Sequence, residues 1–351
     1  MRTREAVLGW DVGGAHLKAV LVDGSGAASF ALELPCPLWQ GVSHLDRAID
    51  ETLARITESP VVHAVTMTGE LADCFTDRAT GVQALARTMV ARLPGLDVRL
   101  FAGRSGFVPV PAAAAAATEI ASANWLATAM YVATVTDEAL VVDIGSTTAD
   151  LVPIAGGEVS AVGHDDFTRL ATDELVYTGL TRTPLMALAQ RVPFEGHEVA
   201  LMAEHFATTA DVYRLTGELV EHADLHPSAD GGPKTGAGSA RRLARMIGRD
   251  AASAPPAAWI ELARYFAERQ LHRLAAAAHR VVTRASLPTD AAVIGAGTGA
   301  LLARKVAARI DRPYVDLADL APRSGAGAAE LMACAPAFAV AHLLRGWGAG
   351  R

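Results

Sequence analysis

The chain has 351 residues, three cysteines, a formal charge of −7 and 51% hydrophobic residues. That length exceeds one ordinary domain and suits two, each able to bury a core of its own. The dispersed negative charge argues against a nucleic-acid partner, and three widely spaced cysteines without a C-x-x-C pair give neither a disulfide framework nor a zinc site, which points to a reducing, cytoplasmic setting.

In chain order, Arg2, Arg4 and Glu5 lead straight into the first strand with no targeting segment in view. Residues 6–11, 17–23 and 27–34 read as three strands joined by glycine turns, and 42–56 has helical periodicity. Strand, helix and strand follow at 61–67, 83–93 and 98–101. Residues 112–135 carry Glu119 as their one charge; Pro109 and Pro111 ahead of them, and their Ser, Asn and Thr content, favour a buried helix followed by a strand over a membrane span. The alanine run 112–117 reflects composition and helix propensity.

The opening then repeats. Residues 139–143, 147–154 and 158–162 read as three strands with turns at Gly145-Ser146 and Gly156-Gly157. An insert, about 168–285, is expected to be mostly helical, with long amphipathic spacing over 259–285 and a Gly/Pro-rich loop over 222–238. Arg241, Arg242, Arg245 and Arg249 fall at helical spacing and read as a solvated helix face. A short strand at 291–294 runs into Gly295-Ala296-Gly297-Thr298-Gly299 and a helix over 301–310. The expected division is a first lobe over 1–138, a second over 139–325, and a C-terminal helix within 326–351 that packs back on the first lobe.

The repeated device is the informative feature. Trp10-Asp11-Val12-Gly13-Gly14 and Val142-Asp143-Ile144-Gly145-Ser146-Thr147-Thr148 each end an apolar strand on an aspartate and follow it with a glycine turn. Such a turn brings backbone N–H groups toward an anion with no Cβ in the way, and two facing turns make a phosphate clamp. Gly13, Gly14, Gly145, Ser146, Thr147 and Thr148 would hold phosphate oxygens, and Asp11 and Asp143 are the candidate ligands for Mg2+. Lys18 either adds a charge or points to solvent.

These motifs resemble the actin, sugar kinase and heat-shock ATPase superfamily. Asp11 to Lys18, Thr66 to Asp73, Ser122-Ala123-Asn124-Trp125, Asp143 to Asp150, Glu174 to Gly179 and Arg182 to Leu185 are similar to the hydantoinase/oxoprolinase-like proteins of tetrahydromethanopterin-linked one-carbon metabolism. The likeness runs over nearly the whole chain. It implies an α/β fold of two ribonuclease-H-like lobes of the actin-like ATPase type with a helical insert in the second. Within that group it implies methanofuran biosynthesis: 5-(aminomethyl)-3-furanmethanol diphosphate loses diphosphate as the phenol oxygen of γ-glutamyltyramine bonds to the furan methylene. The partners implied are small molecules, with no nucleic acid and no membrane. The chain departs from the family pattern at His16-Leu17, where ancestral-type members carry Asn-Thr, and at Ala149, where a hydroxyl is common; His16 then reads as a strand histidine or a ligand-facing imidazole.

A diphosphate leaving group needs its charge neutralised, and a phenol needs a proton acceptor. Glu70 leads the candidate bases, with Asp73, Asp150 and His164-Asp165-Asp166 behind it, Asp165 or Asp166 reading also as a helix cap. Arg182 suits the substrate carboxylate. Lys234 would close over a phosphate or remain a solvated loop lysine. Gly295, Gly297, Thr298 and Gly299 occupy the place where the superfamily binds adenosine, so an ATP-dependent kinase or an amide hydrolase of the hydantoinase/oxoprolinase type is the competing expectation, and a non-catalytic assembly protein a third.

Overall fold

The computed structural model describes residues 5–57, 60, 62–93, 97–220 and 223–347. Strands β1 (Val7–Val12), β2 (His16–Val22) and β3 (Ala28–Pro35) form an antiparallel meander, followed by helix α1 (Ser43–Arg55). β4 (Val62–Met67) returns parallel to β1, helix α2 (Arg78–Arg92) crosses over, and β5 (Asp97–Phe101) and β6 (Phe107–Pro109) complete a sheet of order β3-β2-β1-β4-β5-β6. Every residue of β1 is buried, as a central strand covered on both faces requires, whereas β3 at the edge is half-exposed.

Two helices, α3 (Ala117–Ile120) and α4 (Asn124–Ala133), connect the lobes. The second lobe repeats the plan with β7 (Ala139–Ile144), β8 (Ala149–Ala155), β9 (Glu158–Val159), helix α5 (Asp166–Ala171) and β10 (Leu175–Val176). An insert follows: hairpin β11 (Arg191–Phe194) and β12 (His197–Ala200), then helices α6 (Thr209–Thr216), α7 (Gly236–Met246) and α8 (Pro256–Arg284). The lobe closes with β13 (Ala292–Ala296), helix α9 (Ala300–Arg309) and β14 (Tyr314–Asp316). The sheet order is β10-β8-β7-β13-β14, with β13 parallel to β7 as β4 is to β1. Both lobes therefore have the ribonuclease-H-like topology.

Helices α10 (Leu317–Leu320), α11 (Ala328–Ala333) and α12 (Ala335–Trp347) end the chain. α12 and α4 share one core with residues of both sheets, including Val20 and Ala64 of the first and Val141 and Ile294 of the second. α12 lies so close on β1 that a Cβ at Gly9 would stand 1.9 Å from the Ala337 carbonyl oxygen. Separate cores fill the outer face of each lobe and the insert. No described helix is long and apolar enough to cross a membrane.

Several expectations need correction. Residues 112–135 form two helices, broken at Ser122, whose φ of 52° is left-handed, and the strand begins only at Ala139. The third strand of the second lobe is two residues long, and β10, expected inside the insert, joins this sheet instead. Gly236 and Gly238 belong to the first turn of α7, capped by the Thr235 side chain, so the loop is shorter than expected. Arg241, Arg245 and Arg249 are exposed as a solvated face requires, but Arg242 is fully buried, bonded to Asp211 and Asp230. Arg2, Arg4, Val61, His222 and residues 348–351, named in the sequence reading, lie outside the described residues.

Candidate active site

The β1–β2 and β7–β8 hairpins end in the same way. Gly13 N–H donates to the His16 carbonyl and Gly145 N–H to the Thr148 carbonyl, each at 2.9 Å. The amides of Gly13 and Gly145 thus close the turns instead of facing an anion. Gly14 is different: a Cβ there would meet nothing within 4 Å. Each turn is braced from behind by a second glycine. A Cβ on Gly69 would lie 2.5 Å from Leu38 and 3.0 Å from the Val12 carbonyl, and one on Gly179 would lie 2.5 Å from the backbone of Ser146 and Thr147. The Gly179 segment is itself held by Gln270 of α8, whose Nε2 donates to Thr178 Oγ1 and the Gly179 carbonyl at 2.8 Å.

Both turns open into one cavity of about 580 Å³ between the lobes. Asp11, Lys18, Asp143 and Asp150 meet on its floor, Gly13, Gly14 and Gly145 to Thr148 form two walls, and Arg182 stands at its rim. Lys18 is directed inward, 3.9 Å from Glu33, which overturns the solvent alternative. Burial opposes its charge, but Glu33, Asp11 and Asp143 together outweigh that and hold the ammonium above its usual range. Burial pushes Asp143 up to about 7 against the pull of Lys18, with Asp150 and Asp11 adding to the rise. Burial likewise raises Asp11, Lys18 and a hydrogen bond from Asn124 opposing it, and Asp11 Oδ1 has no hydrogen-bond partner among the described residues. Among the described residues no three His, Cys, Asp or Glu side chains converge to hold a metal by themselves.

Asp150 is bound 2.8 Å from Arg169 Nη2, and that guanidinium, fully buried, also donates to the Glu174 carbonyl at 2.9 Å and stacks 3.9 Å over the Trp125 ring. So engaged, Asp150 is a weak candidate for a base. Glu70 does not line the cavity. It lies behind Ser122, which donates to its Oε1 at 2.9 Å, and the direct contact expected for a base is absent. Asp165 caps α5 through Thr168, whereas Asp166 reaches the cavity wall and pairs with Arg78 of the first lobe at 2.7 Å. Asp73 lines the mouth, exposed.

Arg182 lies 4.7 Å over the Trp39 ring, and Trp39 meets His226 at 5.4 Å. His226, from the insert, is 3.0 Å from the Ala15 carbonyl oxygen and 4.7 Å from the His16 ring. His16 is therefore no plain strand histidine: its Nδ1 lies 3.5 Å from Ser146 Oγ across the lobes. Burial first, then His226, Lys18 and Arg182, hold it well below the usual imidazole range, so it is neutral. Lys234 binds the Asp224 carbonyl at 2.5 Å and lies outside the cavity, which removes the phosphate role.

The G-x-G-x-G element is also outside the cavity. Gly297 N–H donates to the Met332 carbonyl and Gly299 N–H to that of Ile144, and Cβ atoms at Gly297 and Gly299 would press on Ile144. Gly295 makes room for the Tyr314 ring. These glycines seat α9 against the end of β7. Thr298 Oγ1 is buried with no hydrogen-bond partner among the described residues. Trp39, Arg169 and His226 join the site unannounced by the sequence, since no local pattern marks residues whose partners lie 19 to 211 positions away.

Residues 62–344 match the model of the hydantoinase/oxoprolinase family. A Methanocaldococcus jannaschii protein named (4-{4-[2-(gamma-L-glutamylamino)ethyl]phenoxymethyl}furan-2-yl)methanamine synthase is 31% identical over 245 residues, 70% of this chain and 72% of its own. A Methanococcus vannielii protein of the same name is 32% identical over 111 residues, covering 32% of this chain and half of its own. Nucleotide-free acetone carboxylase superposes with a TM-score of 0.57 over 96% of this chain and 70% of its own at 11% identity, a likeness of fold alone.

Proposed function

The chain belongs to the hydantoinase/oxoprolinase family, and from that premise we propose that it acts in methanofuran biosynthesis, joining 5-(aminomethyl)-3-furanmethanol diphosphate to γ-glutamyltyramine as an aryl ether with release of diphosphate. It is then a transferase of alkyl groups. The observation that carries this reading is the polarity of the cavity between the lobes: a floor of Asp11, Asp143 and Lys18 between two turns, beside a rim of Trp39, Tyr177 and Arg182. The floor suits a metal-bound diphosphate. The rim suits aromatic rings and a carboxylate, which a guanidinium binds in two hydrogen bonds.

The residues fit a magnesium ion. Mg2+ needs one or two carboxylates, completing its shell with water and substrate phosphate, and Asp11 Oδ1 is a buried oxygen with no hydrogen-bond partner among the described residues. Asp11 and Asp143 would hold it, directly or through water, and when bound it would neutralise charge on the departing diphosphate. Lys18 supplies a fixed positive charge on the same floor, and the Ser146, Thr147 and Thr148 hydroxyls donate to phosphate oxygens. Arg182, stacked on Trp39, orients the γ-glutamyl carboxylate at the rim. The phenol oxygen then bonds to the furan methylene while the bond to diphosphate breaks, its electron pair leaving on the diphosphate.

The test is diphosphate release from the furanmethanol diphosphate by purified protein with magnesium, with and without γ-glutamyltyramine, beside an ATP-hydrolysis control. Release that depends on the acceptor and not on ATP is expected. ATP turnover without ether formation overturns the reading in favour of a kinase or an amide hydrolase.

A further inference from the structure

Ser122 sits at the break between α3 and α4 with a φ of 52°, a conformation that costs a residue with a side chain. It is buried, yet it lines the cavity. Its Oγ donates to Glu70 Oε1 at 2.9 Å and lies 3.4 Å from Asp166 Oδ2. Glu70 is buried on the short turn after β4, pinned there by α2, whose Gly81 would put a Cβ 2.5 Å from the Glu70 carbonyl oxygen. Its second oxygen, Oε2, has no hydrogen-bond partner among the described residues. Asp166, by contrast, is already tied to Arg78. A serine that lines the cavity and whose hydroxyl is bonded to a half-unpartnered buried carboxylate has the connectivity of a proton relay.

We propose that Ser122 takes the phenol proton of the acceptor, with Glu70 as the positioning residue and proton store behind it. The inference rests on the aryl-ether reading above. The phenol proton passes to Ser122 Oγ as the Ser122 proton passes to Glu70 Oε1. The phenol oxygen's electron pair forms the bond to the furan methylene, and the pair of the breaking C–O bond leaves on diphosphate. After product leaves, Glu70 returns the proton to water through Ser122. The groups facing Glu70 are Ser122, Arg78 of α2 and Asp166 of α5; burial dominates over them and pushes its carboxyl up to about 7, close to where a proton acceptor works best at neutral pH.

Ser122→Gly removes the hydroxyl and relaxes the left-handed backbone, and Glu70→Gln keeps the shape. Circular dichroism and thermal unfolding establish that each is folded. With γ-glutamyltyramine, ether formation should fall at least about 100-fold in both, the lower end of the range for lost acid–base catalysis. A γ-glutamyltyramine with all four ring hydrogens replaced by fluorine, whose phenol is already ionised at neutral pH, should bring both variants back to within about tenfold of the wild type with the same acceptor. A folded Ser122→Gly protein of near wild-type activity overturns the relay, and so does a folded variant equally slow with both acceptors. If the wild type itself makes no ether with either acceptor, the aryl-ether reading falls and takes the relay with it.

Discussion

The two hairpins of the cavity share one backbone device and differ in the residue that faces the aspartate across the strand pair. In the first, Asp11 is opposite Lys18; in the second, Asp143 is opposite Asp150. The first hairpin thus carries its own counter-charge. The second places two carboxylates side by side and depends on Arg169, brought from α5, to balance one of them. The two hairpins share a turn geometry but differ in charge, and one ammonium, Lys18, serves carboxylates from both lobes.

The largest effect that probes this asymmetry is on stability. Arg169→Met strips the buried partner from Asp150 and should cost the second lobe about 3–5 kcal/mol, the scale of a broken buried pair. Lys18→Met should cost less, since Lys18 and Glu33 both keep some contact with water and their closest approach is 3.9 Å. Urea unfolding of both variants gives the comparison, and equal losses would mean that the hairpins are balanced alike.

Next comes activity. Asp11→Asn and Asp143→Asn preserve shape and remove charge, so each should lower turnover at least about 100-fold, as loss of preorganised charge does, with stability unchanged or raised. One of the two should recover in part at high magnesium, the one that contacts the ion through water. Variants that unfold, with activity lost only in proportion, would make these aspartates turn residues.

The braces separate the turns further. Gly179→Ala drives a methyl group into the Ser146–Thr147 backbone and should cost about 1–3 kcal/mol, whereas Gly14→Ala enters open space and should change stability by less than about 0.5 kcal/mol. Thermal unfolding distinguishes them; a costly Gly14→Ala would place that residue in a packed turn.

A further effect is on pH dependence. Asp143 sits at about 7 in the folded protein against an ordinary 3.8, so folding favours its protonated form. Its penalty is absent below about pH 4 and grows as pH rises toward 7. Between those limits, in the absence of ligand, the wild type should lose at least about 1 kcal/mol relative to Asp143→Asn. Parallel unfolding curves for the two proteins across that range would show that Asp143 is not strained by burial.

Much of this was legible because it is local. Asp11 and Asp143 end apolar strands, and Gly13 and Gly145 sit where a four-residue turn needs them, so periodicity alone finds both hairpins. The parallel return of β4 and β13 follows from strand–helix–strand order. What was illegible depends on distance. Arg242 looks like one of four surface arginines until α7 turns it onto Asp211, and the glycines of 295–299 look like an anion loop until Ile144 and Met332 take their amides. Glu70 was named for its carboxylate; that Ser122 stands between it and the cavity is a fact of packing 52 residues away.

The central claim is that the two turns form one clamp. Amide hydrogen exchange with furanmethanol diphosphate and magnesium tests it most directly, read at 13–16 and 145–148 together. The account predicts that ligand slows exchange in both segments and that Asp11→Asn or Asp143→Asn abolishes the effect in both. Protection confined to one turn would contradict a shared site.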